Sequence, residues 1–205
     1  MPNWCSNYLV VTGYAQPPGS ADAIRQINEG FQKENTFENL IGKDPSFAEE
    51  DWYNHNCSHY GTKWDIGPID TFYEDGDIEL ALTFDTAWSP CVPFVKALCE
   101  KYKVDAVLEY SESGCDFAGR ATFEWEGKEE GELCIHEEQW DYHEGLYILD
   151  RQAWFDGELE WAMENAYERE LTDEQFVEEY ASFMTEEDKQ SVIKDYQEYR
   201  EDRQP

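Results

Sequence analysis

The chain has 205 residues, of which 47 are acidic and 15 basic, for a formal net charge of −32; it is nevertheless 40% apolar and 16% aromatic. That aromatic content excludes a disordered solvating tail, and the length suffices to bury a sizeable core. No run approaches the ~18 apolar residues of a membrane span, and the opening MPNWCSNYLVV lacks a signal peptide's basic start, so a place in the cytoplasm is expected.

The charge restricts the partners. A compact domain of this length has a radius of gyration of about 17 Å and a diameter of about 43 Å. Duplex DNA over that span carries about 25 phosphates. A molecule of −32 therefore rivals the duplex in charge, repels nucleic acid and anionic membrane, and is drawn to basic surfaces. Direct nucleic-acid binding is excluded on this ground.

In chain order, Trp4 to Gly13 reads as a strand ended by glycine. Gln16 to Gly19 is turn-rich. Ser20 is a candidate N-cap for a helix with Ala23, Ile24, Ile27 and Phe31 on one face. Residues 36–62 read as a loop carrying Trp52, Tyr53 and Tyr60. Trp64 to Tyr73 and Ile78 to Trp88 read as two strands around the turn Glu74 to Asp77, and Ile78, Leu80, Leu82 and Phe84 alternate. Pro90 to Tyr102 has a helical pattern with Val92, Val95 and Leu98 or Cys99 inward, and Lys101 and Lys103 complement the dipole at its end. Val104 to Tyr110, Gly119 to Trp125 and Glu132 to His136 read as strands, with a turn over Glu126 to Gly131. The order β-α-loop-β-β-α-β-β predicts an α+β, ferredoxin-like split β-α-β sheet with a long inserted loop and an extra strand.

Further on the character becomes helical, and two parts are expected: an α+β domain over 1–145 and an acidic helical extension over 146–205. Phe155, Leu159, Met163 and Ala166 mark one helix. Thr172 and Gln175 form a capping box bracketed by Leu171 and Phe176, with Phe176, Val177, Tyr180 and Ala181 as the buried stripe. Thr185 caps a third helix with Val192, Ile193 and Tyr196 inward.

Charge is densest in that part: from Glu126 onward there are 26 acidic and 7 basic residues. Asp156, Glu160, Glu164 and Glu168 recur every four residues, as do Glu170, Glu174 and Glu178. Like charges at this spacing weaken an isolated helix by about 0.2–0.5 kcal/mol per pair, so solubility alone does not call for a row. A row of carboxylates every ~6 Å along a helix is what an imitation of a phosphate backbone needs, with several elements contributing.

Metal and catalytic signals are sparse. The six cysteines form no CxxC pair and are expected as reduced thiols. Cys57/His59 and Cys134/His136 together could supply a tetrahedral zinc site, but the spacing is not that of a common zinc module, and no metal or other cofactor is expected. There is no calcium loop, Walker loop or nucleophile elbow, and no histidine stands beside a recognisable nucleophile.

Four separated motifs are distinctive: Met1-Pro2-Asn3-Trp4-Cys5-Ser6-Asn7, Tyr60-Gly61-Thr62-Lys63-Trp64-Asp65, Phe84-Asp85-Thr86-Ala87-Trp88-Ser89-Pro90 and Gly114-Cys115-Asp116-Phe117-Ala118-Gly119. Together, over residues 1–125, they resemble the YubB-type ferredoxin-like domain family of bacteriophages and conjugative plasmids. The chain departs from the family's usual Asn-Trp-Gly at His59-Tyr60-Gly61 and from its usual second proline at Cys91. The resemblance implies a ferredoxin-like fold and a mobile-element origin, and transfers no catalytic residue. Trp4, Trp64 and Trp88 are expected as core aromatics, and Lys63, Asp65 and Asp85 as a buried polar network fixing the loop.

These features lead to an expected non-enzymatic inhibitor, a DNA mimic that occupies the basic nucleic-acid-binding surface of a host defence protein such as a restriction or CRISPR factor. Its contact residues are expected to be Asp156, Glu160, Glu164, Glu168, Glu170, Glu174, Glu178 and Glu179, with Trp154 and Trp161 as anchors. The alternatives are a protein-binding or assembly module that uses the aromatic motifs, and an enzyme with a pocket around Tyr60 to Asp65.

Overall fold

A computed structural model of the chain describes residues 3–14, 20–43, 49–69, 71, 73, 74, 76–126 and 131–203. The turns expected over Gln16 to Gly19 and within residues 127–130 lie outside the described residues. Contacts divide the chain into two units. One comprises Met1–Cys115 with Gly119–Gln139, and the other Asp116–Ala118 with Trp140–Pro205.

The first unit is built on strands β1 (Trp4–Thr12), β2 (Glu79–Ala87), β3 (Asp105–Glu112), β4 (Phe117–Glu126) and β5 (Glu132–Trp140), ordered β2-β1-β3-β4-β5. β1 runs antiparallel to both neighbours, with Leu9 opposite Leu82 on one side and Leu108 on the other. β2 and β3 are therefore parallel to each other with β1 between them, and helix α4 (Val92–Tyr102) connects them. This is the split β-α-β unit expected from the sequence, and the fold is α+β and ferredoxin-like.

Period-two alternation sends Cys5, Leu9, Val11, Leu80, Leu82, Phe84, Ala106 and Leu108 inward. They meet Ile24, Ile27 and Phe31 of helix α1 (Ala21–Phe31) and Phe94, Val95, Leu98 and Cys99 of α4. Phe31 sets its ring edge-on to Phe94 at 6.1 Å, and Phe37 lies 4.2 Å from the same ring. Ser20 occupies the N-cap position of α1 through its carbonyl, which accepts from Ala23 and Ile24, while its side chain makes no cap bond.

Two expectations are overturned in this unit. Residues 36–62 are not a plain loop, since α2 (Thr36–Ile41) and α3 (Trp52–His59) form within them. The strand expected over Trp64 to Tyr73 is absent from the described residues there. Pro68 has no amide to offer a ladder, and the segment is drawn onto the helices instead. The Asp65 carboxylate accepts the Phe37 amide at 3.0 Å, Ile66 is buried, and the Ile69 amide donates to the Phe31 carbonyl at 3.1 Å. The turn after it closes through the Asp77 amide on the Glu74 carbonyl at 3.0 Å, with Gly76 at φ 100°.

The second unit is helical. It contains α5 (Tyr142–Leu149), α6 (Arg151–Ala153), a π turn (Trp154–Glu158), α7 (Leu159–Glu168), α8 (Asp173–Tyr180) and α9 (Glu186–Glu201). Its core gathers Tyr147, Trp154, Leu159, Ala162, Ala166, Phe176, Tyr180, Ala181, Met184, Val192 and Tyr196. The capping box is formed as expected: the Gln175 amide donates to Thr172 Oγ1, and the Thr172 amide donates to Gln175 Oε1 at 3.0 Å. Among the described residues no helix is long and apolar enough to cross a membrane.

Candidate binding surfaces

In the helical unit, the π turn decides which side chains face out. The Leu159 amide reaches the Trp154 carbonyl five residues back, so positions 154 and 159 fall on one side, which a regular α-helix would not allow. Trp154 is consequently only 1% exposed, at the centre of the unit's core, while Phe155 is half-buried. This corrects two expectations: Trp154 cannot anchor a partner, and Phe155 does not lead the buried stripe. Trp161 is 44% exposed, stacks on His143 with ring centroids 4.9 Å apart, and meets Tyr180 edge-on.

Asp156, Glu160, Glu164 and Glu168 are all exposed, opposite Leu159, Ala162 and Ala166. Glu174 and Glu178 are exposed on α8, and Glu170 is exposed in a left-handed turn at φ 56°. Glu179 is also exposed, but it is held by Arg169, whose guanidinium keeps its carboxyl below the usual range.

The unit's own cations are taken up by partners within the unit. Its 21 acidic residues stand against six Lys and Arg. Among the described residues Arg151 pairs with Asp188, Arg169 with Glu179, Lys189 with Glu186, Lys194 with Glu198 and Arg200 with Asp173, while Arg203 lies over the Tyr199 ring at 3.5 Å. None of these cations pairs with the exposed rows. A cleft of about 400 Å³ in the same unit is lined by Asp116, Asp141, His143, Glu144, Glu179 and Phe183, and its charge suits a cation. His143 Nδ1 lies 3.3 Å from Glu158.

The sheet unit presents a different surface. Trp4, Trp64 and Trp88, expected in the core, are 54%, 39% and 45% exposed. The reason is strand parity. Trp4 shares its face of β1 with Ser6 and Tyr8, whereas Cys5, Asn7, Leu9 and Val11 point inward, and this alternation is legible in the sequence. The expected buried network also differs. Asp65 is a half-buried anchor of α2, and its partial burial pushes its carboxyl up. Asp85, by contrast, is exposed and accepts from Ser6 at 3.1 Å, and Lys63 Nζ lies 4.5 Å over the Trp64 ring.

The motif residues that do lock the loop are hydroxyls and a glycine. Thr62 Oγ1 donates to the Ala87 carbonyl at 2.9 Å and accepts its amide at 3.0 Å, and Ser89 Oγ donates to the Gly61 carbonyl at 2.7 Å. Gly61 sits at φ 85°, where a Cβ would meet Pro93 Cδ at 2.5 Å. At the fourth motif, buried Glu112 accepts the amides of Gly114 and Cys115 at 2.7 and 2.6 Å.

Thiol and metal chemistry find little support. Burial pushes the Cys5 thiol up to about 12 and raises Cys91 and Cys99 as well, which leaves them protonated and inert. Cys57 is exposed, His59 Nε2 faces the Gly42 carbonyl at 3.2 Å, and Cys134 and His136 are exposed on β5. Among the described residues no three His, Cys, Asp or Glu side chains are placed to share an ion.

Residues 59–151 match the family model described as the ferredoxin-like domain in Api92-like protein. That segment runs from the end of α3 through β2–β5 to the start of α6 and leaves out β1, so it spans the Thr62, Trp64 and Trp88 motifs and stops before the acidic row. No curated protein and no solved structure matches the chain.

Proposed function

We propose that this protein is an acidic inhibitor encoded by a phage or plasmid, which binds a nucleic-acid-handling defence protein of the host in its cytoplasm and takes the place of DNA on that protein's basic surface. One observation carries this reading: among the described residues, the helical unit spends five of its six cations on internal pairs and leaves Asp156, Glu160, Glu164, Glu168, Glu174 and Glu178 exposed without a cationic partner. Such a surface gains by meeting fixed positive charge and associates fast at low salt. The reading needs no catalysis by this chain.

The test is affinity capture from host lysate with the full chain and with Asp156→Asn/Glu160→Gln/Glu164→Gln/Glu168→Gln. A nucleic-acid-handling protein should be retained, be displaced by duplex DNA, and elute as salt rises from about 0.05 to 0.5 M. The neutralised variant should bind about 4-fold to several hundredfold more weakly, since four exposed pairs at about 0.2–1 kcal/mol each sum to about 0.8–4 kcal/mol. Retention that ignores salt, DNA and the four substitutions removes the mimicry. A second reading, an assembly module that docks through aromatic residues with charge serving only solubility, draws on the exposure of Trp4, Trp64 and Trp88. It predicts that salt-insensitive result.

A further inference from the structure

An aromatic strip runs over the surface of the sheet unit. Trp52 and Tyr53 of α3 are 42% and 51% exposed with ring centroids 5.9 Å apart. Lys63 Nζ lies 5.9 Å from the Tyr53 ring and 4.5 Å from that of Trp64. Trp64 in turn stands 6.4 Å from Trp4. Trp88, whose amide donates to the Asn3 carbonyl at 3.0 Å, adjoins Trp4 through the backbone. Trp88 also holds φ 76°, a conformation that is strained for a bulky residue. Because that side chain is 45% exposed, core packing does not compensate for the strain.

We infer that this strip binds arginine or lysine side chains of a cationic partner segment through the ring faces of Trp4, Trp64 and Trp88. Two observations choose a cation. The sheet unit has 26 acidic against 9 basic residues, so an anionic chain, nucleic acid included, is repelled from it. The chain's own cations also settle on rings: Lys63, Lys101, Lys103, Arg151, Arg200 and Arg203 all lie over aromatic faces. Lys63 on Trp64 is an internal occupant of the strip itself, and it covers a face that an incoming guanidinium would use. The inference rests on the reading above in that the partner is cationic, but it places the contact on different residues.

The experiment is calorimetric titration of the full chain with a twelve-residue Arg-Ser repeat peptide, a Gly-Ser peptide of the same length, and cellohexaose as a neutral ring-stacking probe. The Arg-Ser peptide should bind, and Trp4→Ala and Trp64→Ala should each weaken it about 3- to 10-fold. Lys63→Ala should tighten it about 2-fold by vacating Trp64. Glu160→Gln/Glu164→Gln/Glu168→Gln reports on the other surface. If only that variant weakens binding, the strip is overturned and the acidic row stands. If only the tryptophan variants weaken it, the strip stands and the row fails. Preferential binding of cellohexaose or of the Gly-Ser peptide overturns the cationic assignment.

Discussion

Asp188 shows how a single carboxylate organises the helical unit. It is 4% exposed, accepts the Tyr147 hydroxyl at 2.5 Å and takes both Nε and Nη2 of Arg151 at 2.9 and 2.5 Å, while its own amide donates to Thr185 Oγ1. The guanidinium first, and the tyrosine hydroxyl next, hold this carboxyl far below the ordinary range. The unfolded chain, with an ordinary value of about 3.9, takes up the proton first as pH falls. The stability due to Asp188 is therefore complete above about pH 5 and is lost progressively below about pH 4. Asp188→Asn should lower unfolding stability at pH 7 by about 1–3 kcal/mol and flatten the acid limb of a urea-midpoint-against-pH profile. An unchanged acid limb would show that other carboxylates control it. The pairing of residues 147, 151 and 188 has no local signature in the sequence, because the three meet only once the helices pack.

Among the elements, the π turn separates two tryptophans that composition treats alike. Trp154→Ala should destabilise the unit by about 3–5 kcal/mol, since it empties the core's largest fully buried side chain. Trp161→Ala should shift the unfolding midpoint far less, because Trp161 is half in solvent already. Elements set by neighbouring residues were legible: the Thr172–Gln175 box, the alternation of β2 and the split β-α-β order all follow from short-range patterns. Elements set by tertiary demand were not. Reading 154–168 at a period of 3.6 puts Phe155 inward, and only the extra residue of the π turn moves Trp154 there. Trp64 to Tyr73 has strand-like residues, yet Gly67-Pro68 and the Asp65 cap on α2 take the segment off the sheet. Residue type alone places Trp4 and Trp88 in the core, whereas parity along β1 and the left-handed backbone of Trp88 place them outside.

At the scale of the molecule, a net charge of −32 acts on folding and on binding in opposite senses. Self-repulsion among exposed carboxylates opposes compaction and is screened by salt. The thermal midpoint of the free chain should therefore rise between about 0.02 and 0.3 M NaCl, over the same range in which a complex with a cationic partner weakens. A midpoint that falls with salt would mean that the internal ion pairs outweigh the repulsion. The pairing of Arg151, Arg169, Lys189, Lys194 and Arg200 within the helical unit has a further result. Since the ionic ties among the described residues of the helical unit leave out Asp156, Glu160, Glu164, Glu168, Glu174 and Glu178, one of these acids can be exchanged or moved without loosening the helices, and the outline of surface charge can be redrawn on an unaltered frame.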